Sequence, residues 1–242
     1  MELTAAQTMI ITPKKFDINS VNIGEVLKNK KGGNIVYIKY DDLKKLTIQT
    51  PLMSAPFGIS TYVDEANNTK KYTIDLSFKG EEEDPKIALF KKKMQMFDDF
   101  LIEEGTKNSK AWFGKNQKKE VVEALYRPLV KPSKEPEKYA PTMKVKILAS
   151  KEDEFQVEAY KYTDKSKFDF KDIAKGAKVQ MILEASSIWF VGKTQFGITW
   201  VLKQARVQQP EKLLGYSFRD DSDDEEDEEE EEELQESYEA DE

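Results

Sequence analysis

The sequence of 242 residues contains no cysteine and no histidine. The absence of cysteine excludes a disulfide framework, a thiolate zinc site and a thiol nucleophile. The absence of histidine removes the commonest general base and transition-metal ligand, and it excludes a Ser-His-Asp triad. The glycine-containing stretches at 32–34 (GGN) and 114–119 (GKNQKK) lack the spacing of a phosphate-binding loop. These absences predict a protein that is not an enzyme, with no catalytic residue, no metal site and no cofactor.

Long apolar runs are also missing. No stretch of 18 apolar residues occurs, so we expect no membrane-spanning segment and no membrane partner. The first residues, MELTAAQTMIITPKK, do not have the basic start and apolar stretch of a signal peptide. We therefore expect a non-secreted, intracellular protein in a reducing compartment.

Basic residues are absent from the C-terminal stretch, where acidic ones accumulate. Residues 220–242 hold 17 of the 46 Asp and Glu and none of the 38 Lys and Arg, so residues 1–219 carry a net charge of +9. A segment this charged is expected to be a disordered tail. The asymmetry predicts a body that binds a polyanion and a tail that competes for the same surface. Leu234 and Tyr238 are the sizeable apolar side chains of this tail and are its candidate partner-binding residues.

The body has the periodicity of a mainly β protein. Residues 1–33 are interpreted as an irregular lead-in, and Asn67-Asn68 as a hairpin turn. Period-two alternation and β-rich composition predict strands at 34–40, 45–50, 62–63, 70–79, 142–148, 154–160, 178–185, 187–191 and 196–207. Residues 127–141 contain four prolines and are expected to form a surface connection within one domain.

Two helices are predicted between the groups of strands. Asp84-Pro85 is typical of an N-cap followed by proline at the first helical position, and Gly105 is expected to end this helix. Its apolar stripe has helical spacing and consists of Ile87, Phe90, Met94, Phe97 and Leu101. A shorter amphipathic helix is predicted at 118–126. Together these elements indicate one antiparallel sheet or barrel in residues 1–219, with a helical insertion at about 84–127.

Lysines interleave with aromatic residues on several predicted strands. This pattern is typical of single-stranded nucleic-acid binding, in which bases stack on aromatic rings and lysines follow the phosphates. Taken singly, each lysine is as well explained by a solvated face and each aromatic by a core position. The Trp112-Phe113 pair is predicted to lie in an exposed, lysine-rich loop. The candidate nucleic-acid-binding residues are Tyr37, Lys39, Lys45, Lys71, Tyr72, Trp112, Phe113, Lys115, Lys144, Lys146 and Trp189.

Three segments resemble the single-stranded DNA-binding proteins of large nucleocytoplasmic DNA viruses, which are similar in plan to the phage T7-type single-stranded DNA-binding protein. The segments are KLTIQTPLMSAPFGIS (45–60), KYAPTMKVKI (138–147) and FDFKDIAKGAKVQMILEASSIWFVGKTQFGITWVLKQARV (168–207). The resemblance implies an oligonucleotide-binding (OB) fold-like barrel with an added helix, a groove for single-stranded DNA and an acidic tail. It adds Tyr139 and Lys193 to the candidate residues. The T7-type tail ends in an aromatic residue, whereas the nearest aromatic here, Tyr238, lies four residues from the end.

The predicted function is sequence-nonspecific single-stranded DNA binding in viral DNA replication, recombination and repair. The tail is expected to compete with DNA and to contact DNA polymerase or other replication proteins, and the resemblance suggests a homodimer. The expected location is the site of viral DNA replication, in the host nucleus or a cytoplasmic factory. Two alternatives remain open: an acidic-tailed chaperone of histones or other basic proteins, and a virion structural protein.

Overall fold

Ten strands form one mixed sheet in the part of the chain that the computed structural model describes, residues 9–30, 32–41, 45–65 and 69–211. The strands are β1 (Val21–Lys28), β2 (Asn34–Tyr40), β3 (Thr47–Gln49), β4 (Met53–Ala55), β5 (Ile59–Asp64), β6 (Thr69–Ser77), β7 (Thr142–Ile147), β8 (Glu158–Lys161), β9 (Ala177–Val191) and β10 (Gln195–Gln208). The helices between β6 and β7 are α1 (Pro85–Lys107), α2 (Ser109–Phe113) and α3 (Lys119–Leu125). Helices thus interrupt a β fold, as predicted.

Five of the strands close into a ring in the order β9, β4, β6, β7, β10 and back to β9. The closure is partial, because β4 meets β6 at Ser54–Ser77 and β7 meets β10 at Val201–Lys146, whereas β9 and β10 pair along most of their length. The predicted OB-fold-like barrel is therefore confirmed. β10 also runs parallel to β7 and β8, which adds parallel pairings to the antiparallel ones that the sequence predicts.

Helix α1 begins as predicted but does not end at Gly105. The Asp84 carboxylate accepts a hydrogen bond from the Lys86 backbone N–H (2.8 Å), and the predicted apolar stripe is buried. The helix continues to Lys107 because Asn108 caps it, donating from its side chain to the Glu104 carbonyl (2.9 Å). Gly105 serves close packing instead, since a Cβ there would lie 2.9 Å from Val122 and 3.1 Å from the Phe196 ring. The second predicted helix is confirmed as α3.

The strand predictions need four corrections. β4 lies in a stretch for which no strand is predicted. The supposed irregular lead-in contains β1, whose period-two pattern is broken by a bulge between Ile23 and Val26 in its pairing with β2. The two strands predicted at 178–185 and 187–191 are the single strand β9, and the strand predicted at 154–160 reduces to β8. The β5–β6 hairpin is present, but its predicted turn at Asn67-Asn68 lies outside the described residues.

The chain divides into two units, residues 1–210 and 211–242. The strands and helices above all belong to the first unit. Residues 212–242, which include the predicted acidic tail with Leu234 and Tyr238, lie outside the described residues.

Candidate nucleic-acid interface

A cleft of about 1230 Å³ opens on the outer surface of the barrel and is called here the basic cleft. Its floor consists of outward-facing residues of β6, β7 and β10. One side is the proline-rich connection 127–141, called here the proline wall. Ser54 of β4 also lines the cleft, as do Pro56 and Phe57 in the turn between β4 and β5. These elements are far apart in sequence and meet because the ring brings them together.

The floor follows from strand alternation. On β6, Ile74 and Leu76 point into the core, so Thr73 and Asp75 face outward. On β7, Lys144 and Lys146 face outward for the same reason. Antiparallel pairing sets Thr73 opposite Lys146 and Asp75 opposite Lys144. Directly opposite residues share a face, so the two lysines lie in adjacent rows of one surface.

The proline wall bridges the gap between β7 and β10. Its first residue, Arg127, donates its backbone N–H to the Phe196 carbonyl of β10 (2.9 Å). Four residues later, Lys131 exchanges two backbone hydrogen bonds with Thr142 of β7 (both 2.9 Å). The wall therefore leaves one strand and reaches the other where their direct pairing fails.

A buried carboxylate holds the first part of this wall. Asp98, on α1, accepts hydrogen bonds from the Tyr126 hydroxyl (2.6 Å) and from the backbone N–H groups of Leu129 (2.9 Å) and Val130 (3.4 Å). Burial raises the pKa of Asp98 to about 6, against the opposing effect of these hydrogen bonds. Burial also raises the pKa of Tyr126 well above its ordinary value. Asp98 thus satisfies backbone groups that proline-rich chain cannot pair in a strand.

Positive charge dominates the basic cleft. Among the described residues that line it, eight are cationic and one, Asp75, is acidic. Lys144 pairs with Asp75 (2.9 Å), and Lys138 pairs with Glu135 (2.7 Å). The other six have no carboxylate within 4 Å in the described ranges: Lys71, Lys79, Arg127, Lys131, Lys134 and Lys146. This surface can therefore neutralise an anionic ligand at several points.

Aromatic side chains are interspersed with these cations. Phe57 is 57% exposed and Tyr139 is 62% exposed, and both line the cleft. Trp189, on β9, is half-buried there. A Cβ on Gly197, its cross-strand neighbour on β10, would lie 2.8 Å from the Trp189 ring. The ring therefore lies across Gly197, in space that a larger residue would fill.

The Gly197→Ala substitution should displace the Trp189 ring, because the added methyl group would also meet the Arg127 carbonyl at 3.2 Å. If Trp189 stacks on a ligand base, loss of that contact weakens single-strand binding by about fivefold or more. Oligonucleotide anisotropy measures the affinity, and tryptophan fluorescence reports the displacement. Gly33→Ala, at a glycine outside the cleft whose added Cβ would meet the movable end of the Asn29 side chain (3.0 Å), controls for glycine replacement. Unchanged affinity despite a displaced ring would contradict the role of Trp189.

The basic cleft collects six of the residues that the sequence predicts for binding. Tyr72 is among them but is largely buried, with its ring 5.0 Å from that of Phe155, so it offers little surface to a ligand. The six are Lys71, Tyr72, Tyr139, Lys144, Lys146 and Trp189.

The other predicted residues lie elsewhere. Tyr37 and Lys39 share the exposed face of β2, as the alternation predicts. Lys45 pairs with Glu184 (2.8 Å). Lys115 and Lys193 line a smaller pocket of about 410 Å³ beyond the end of α2.

The prediction of an exposed Trp112-Phe113 loop is wrong. Both residues belong to α2 and are buried, with 2% and 1% of their surfaces exposed. Each packs edge-to-face against Phe190 and Phe196, with ring centroids 5.3–6.0 Å apart. The prediction failed because the flanking lysines give this segment the composition of an exposed loop. The two rings are instead buried by Phe190 and Phe196, which are distant in sequence.

Sequence reasoning missed several cleft residues. Phe57 lies between Pro56 and Gly58, a pattern that is typical of a turn and that indicates an exposed aromatic side chain. The cations of the proline wall recur every three or four residues, and this regular spacing was a second sequence signal for a basic surface. The missed residues are Phe57, Lys79, Arg127, Lys131, Lys134 and Lys138.

The chain belongs to a family of unknown function, DUF5871, whose family model matches residues 79–220. No curated protein matches the sequence. Among solved structures, the chain is similar to gp2.5, a single-stranded DNA-binding protein encoded by bacteriophage T7, at 13% identity over 72% of this chain and 91% of that chain (TM-score 0.47). It is also similar to the single-stranded DNA-binding protein of bacteriophage Enc34. In complex with single-stranded DNA, that protein matches at 15% identity over 78% of this chain and 98% of that chain (TM-score 0.43). A second structure of the Enc34 protein matches at 13% identity over 82% of this chain and 98% of that chain (TM-score 0.40).

Within the described ranges, no helix combines the length and apolar character needed to cross a membrane. The same ranges contain no group of three or more acidic side chains placed to hold a metal ion.

Proposed function

We propose that this protein binds single-stranded DNA in the basic cleft without sequence preference and without catalysing a reaction. The observation that carries the proposal is the combination, in one cleft, of six cations without carboxylate partners and the exposed rings of Phe57 and Tyr139 beside Trp189. Cations alone would suit any polyanion. Rings among them suit a strand whose bases are unpaired and free to stack.

In the proposed mechanism, the cations bind the phosphates of the strand and the aromatic rings contact its bases. Lysine and arginine side chains neutralise phosphates and release counterions, which makes binding strongly salt-dependent. Aromatic rings stack on bases of any identity, so the interaction tolerates sequence changes. A duplex keeps its bases stacked on one another, and its faces are not available to Phe57, Tyr139 or Trp189. We therefore expect a preference for single strands.

A binding comparison tests this proposal. A labelled poly-dT oligonucleotide and a duplex of equal length are titrated with the full chain over a salt series, and anisotropy is measured. We expect tight, salt-sensitive binding of the single strand and weaker binding of the duplex. Equal affinity for the two, or no binding by a chain that lacks residues 220–242, would overturn the proposal.

We also propose that the acidic tail, residues 220–242, competes with DNA for the basic cleft. The support is the contrast between a tail with 17 acidic residues and a body with a net charge of +9. A tethered competitor acts at an effective concentration of about millimolar, so weak contacts are sufficient. Deleting residues 220–242 should tighten single-strand binding several-fold at low salt. A tail of the same length built from Gly and Ser is the control, and equal affinity of all three chains would rule out competition.

Further expectations concern partners and setting, and they derive from the sequence resemblance and from the two sizeable apolar side chains of the tail. We propose that Leu234 and Tyr238 contact DNA polymerase or another replication protein. We propose that the chain acts in viral DNA replication, recombination and repair, at the site of that replication. We also propose that it forms a homodimer. Substituting both tail residues with alanine should weaken capture of a purified polymerase while leaving DNA affinity unchanged. Equal capture by the two chains would count against this role.

A chaperone for histones or other basic proteins is the second candidate, and the acidic tail is the observation that favours it. Such a protein binds its client through residues 220–242 and does not need the cations of the cleft. Histone binding that is lost with the tail, together with no binding of single strands, would select this alternative.

A further inference from the structure

An apolar row of residues leads from the basic cleft to the edge of the sheet. Strand pairing sets Leu27 of β1 opposite Ile35 of β2, and Ile35 opposite Trp189 of β9. Trp189 is in turn opposite Gly197 of β10. Directly opposite residues lie on the same face, so Leu27 and Ile35 are on the face of the sheet that carries Trp189 at the cleft.

This surface, called here the ribbon face, consists of Leu27, Ile35, Tyr37 and Lys39. Tyr37 and Lys39 follow Ile35 at two-residue intervals on β2 and therefore share its side of the sheet. Leu27 is 49% exposed and Tyr37 is 50% exposed. Adjacent strands are about 4.8 Å apart, so Leu27 lies about 10 Å from Trp189. A large aromatic and a large aliphatic side chain are thus exposed close to the cleft.

Cations border the ribbon face. Lys39 is part of it, and the β1–β2 turn carries Lys30. Lys28, the last residue of β1, lies on the opposite face of the sheet, where it donates to the Asn34 side chain (2.6 Å). Neither Lys30 nor Lys39 has a carboxylate within 4 Å among the described residues. Glu25, in the β1 bulge, is an acidic residue of the same strand pair. Basic side chains outnumber acidic ones here, as in the cleft.

We infer that the ribbon face is a second subsite for the same single strand, which leaves the basic cleft at Trp189 and stacks a base on Tyr37. The inference rests on the proposed function, because it extends the path of that ligand. Continuity with the cleft through Trp189 selects nucleic acid as the occupant, and the bordering lysines match its phosphates. Tyr37 and Lys39, which the sequence predicts for binding but the cleft does not contain, are given a role by this path.

The length dependence of binding tests the second subsite. Anisotropy is measured with oligo-dT of about 4 and about 16 nucleotides, the range of site sizes for OB folds. The Tyr37→Ala variant should bind the 4-mer as the unchanged chain does and the 16-mer about fivefold or more weakly, because one stacking contact is lost. Tyr37 is exposed, so its loss leaves the core intact. Tyr162→Ala is the matched control, because Tyr162 is an exposed tyrosine beyond β8, and β8 pairs with β10 at Gln204–Val207, at the other end of β10 from Gly197.

The outcomes separate this inference from the proposed function. Equal effects of Tyr37→Ala on both lengths, or no effect on either, would overturn the second subsite while leaving the cleft intact. Sedimentation gives a further outcome. If the unchanged chain is a dimer, and Tyr37→Ala is a monomer with unchanged affinity for the 16-mer, the ribbon face binds a second copy of the chain and the second subsite is overturned. If the unchanged chain binds neither oligonucleotide, the proposed function and this inference fail together.

Discussion

Replacing Lys131, Lys134 and Lys146 together with glutamine is expected to weaken single-strand binding about a hundredfold at about 0.1 M salt. Each cation–phosphate contact contributes about −0.7 to the slope of log K against log salt, so three lost contacts remove about two powers of ten at that salt concentration. All three side chains are exposed in the basic cleft and are without carboxylate partners among the described residues. The unchanged cleft, with six such cations, should have a slope of about −4.

The control for this experiment removes the same charge elsewhere. Lys86, Lys92 and Lys110 are exposed on α1 and α2 and do not line the cleft. Their replacement with glutamine changes the net charge of the chain equally and should reduce affinity far less. Equal losses in the two triple variants would mean that overall charge, and not the cleft, determines binding.

The second large effect concerns stability. At about pH 4, where Asp98 is protonated in the folded state, Asp98→Ala should lower the free energy of unfolding by about 3 kcal/mol or more, because the Tyr126 hydroxyl and the Leu129 N–H lose their buried acceptor at about 1–3 kcal/mol each. In a chain of this size the melting temperature should fall by about 2–4 °C per kcal/mol. Asp98→Asn retains an acceptor for Leu129 and should be more stable than Asp98→Ala. Asp99→Ala, at the exposed neighbouring position, is the control, and equal stability of the Ala and Asn variants would contradict the account of the wall.

Asp98 also makes stability depend on pH. Its pKa in the folded state, about 6, lies above the ordinary value of 3.8, so the folded state takes up this proton first as the pH falls. The contribution to stability is therefore fully present below about pH 4 and is lost as the pH rises through about 6, a change of about 3 kcal/mol. Denaturant unfolding between these pH values should show this change in the unchanged chain. Asp98→Asn should lack it, and an identical pH profile in the two chains would exclude Asp98 as the titrating group.

The floor of the cleft could be predicted from sequence because strand alternation is a local signal. The pattern TMKVKI at 142–147 places Lys144 and Lys146 outward whatever surrounds the strand, and the structure agrees. The stripe of α1, from Ile87 to Leu101, was predictable for the same reason. Periodicity identifies which side of an element is buried.

The remainder of the site depends on contacts between distant residues, which leave no periodic trace. The proline wall has an irregular backbone, and the carboxylate that holds it, Asp98, lies 31 residues before Leu129. Trp112 is buried by Phe190 and Phe196, which follow about 80 residues later. β1 escaped detection because a bulge interrupts its alternation. From composition alone, both β1 and the segment around Trp112 were predicted to be irregular chain.

Photo-crosslinking tests the central claim most directly, because it identifies the residues that touch the strand. The full chain is irradiated with an oligo-dT that carries 5-iodo-deoxyuridine, and the crosslinked peptides are sequenced by mass spectrometry. The proposed function predicts crosslinks at Phe57, Tyr139 and Trp189, and their loss when a single strand without the label competes. Crosslinks confined to residues outside the basic cleft and the ribbon face would contradict it.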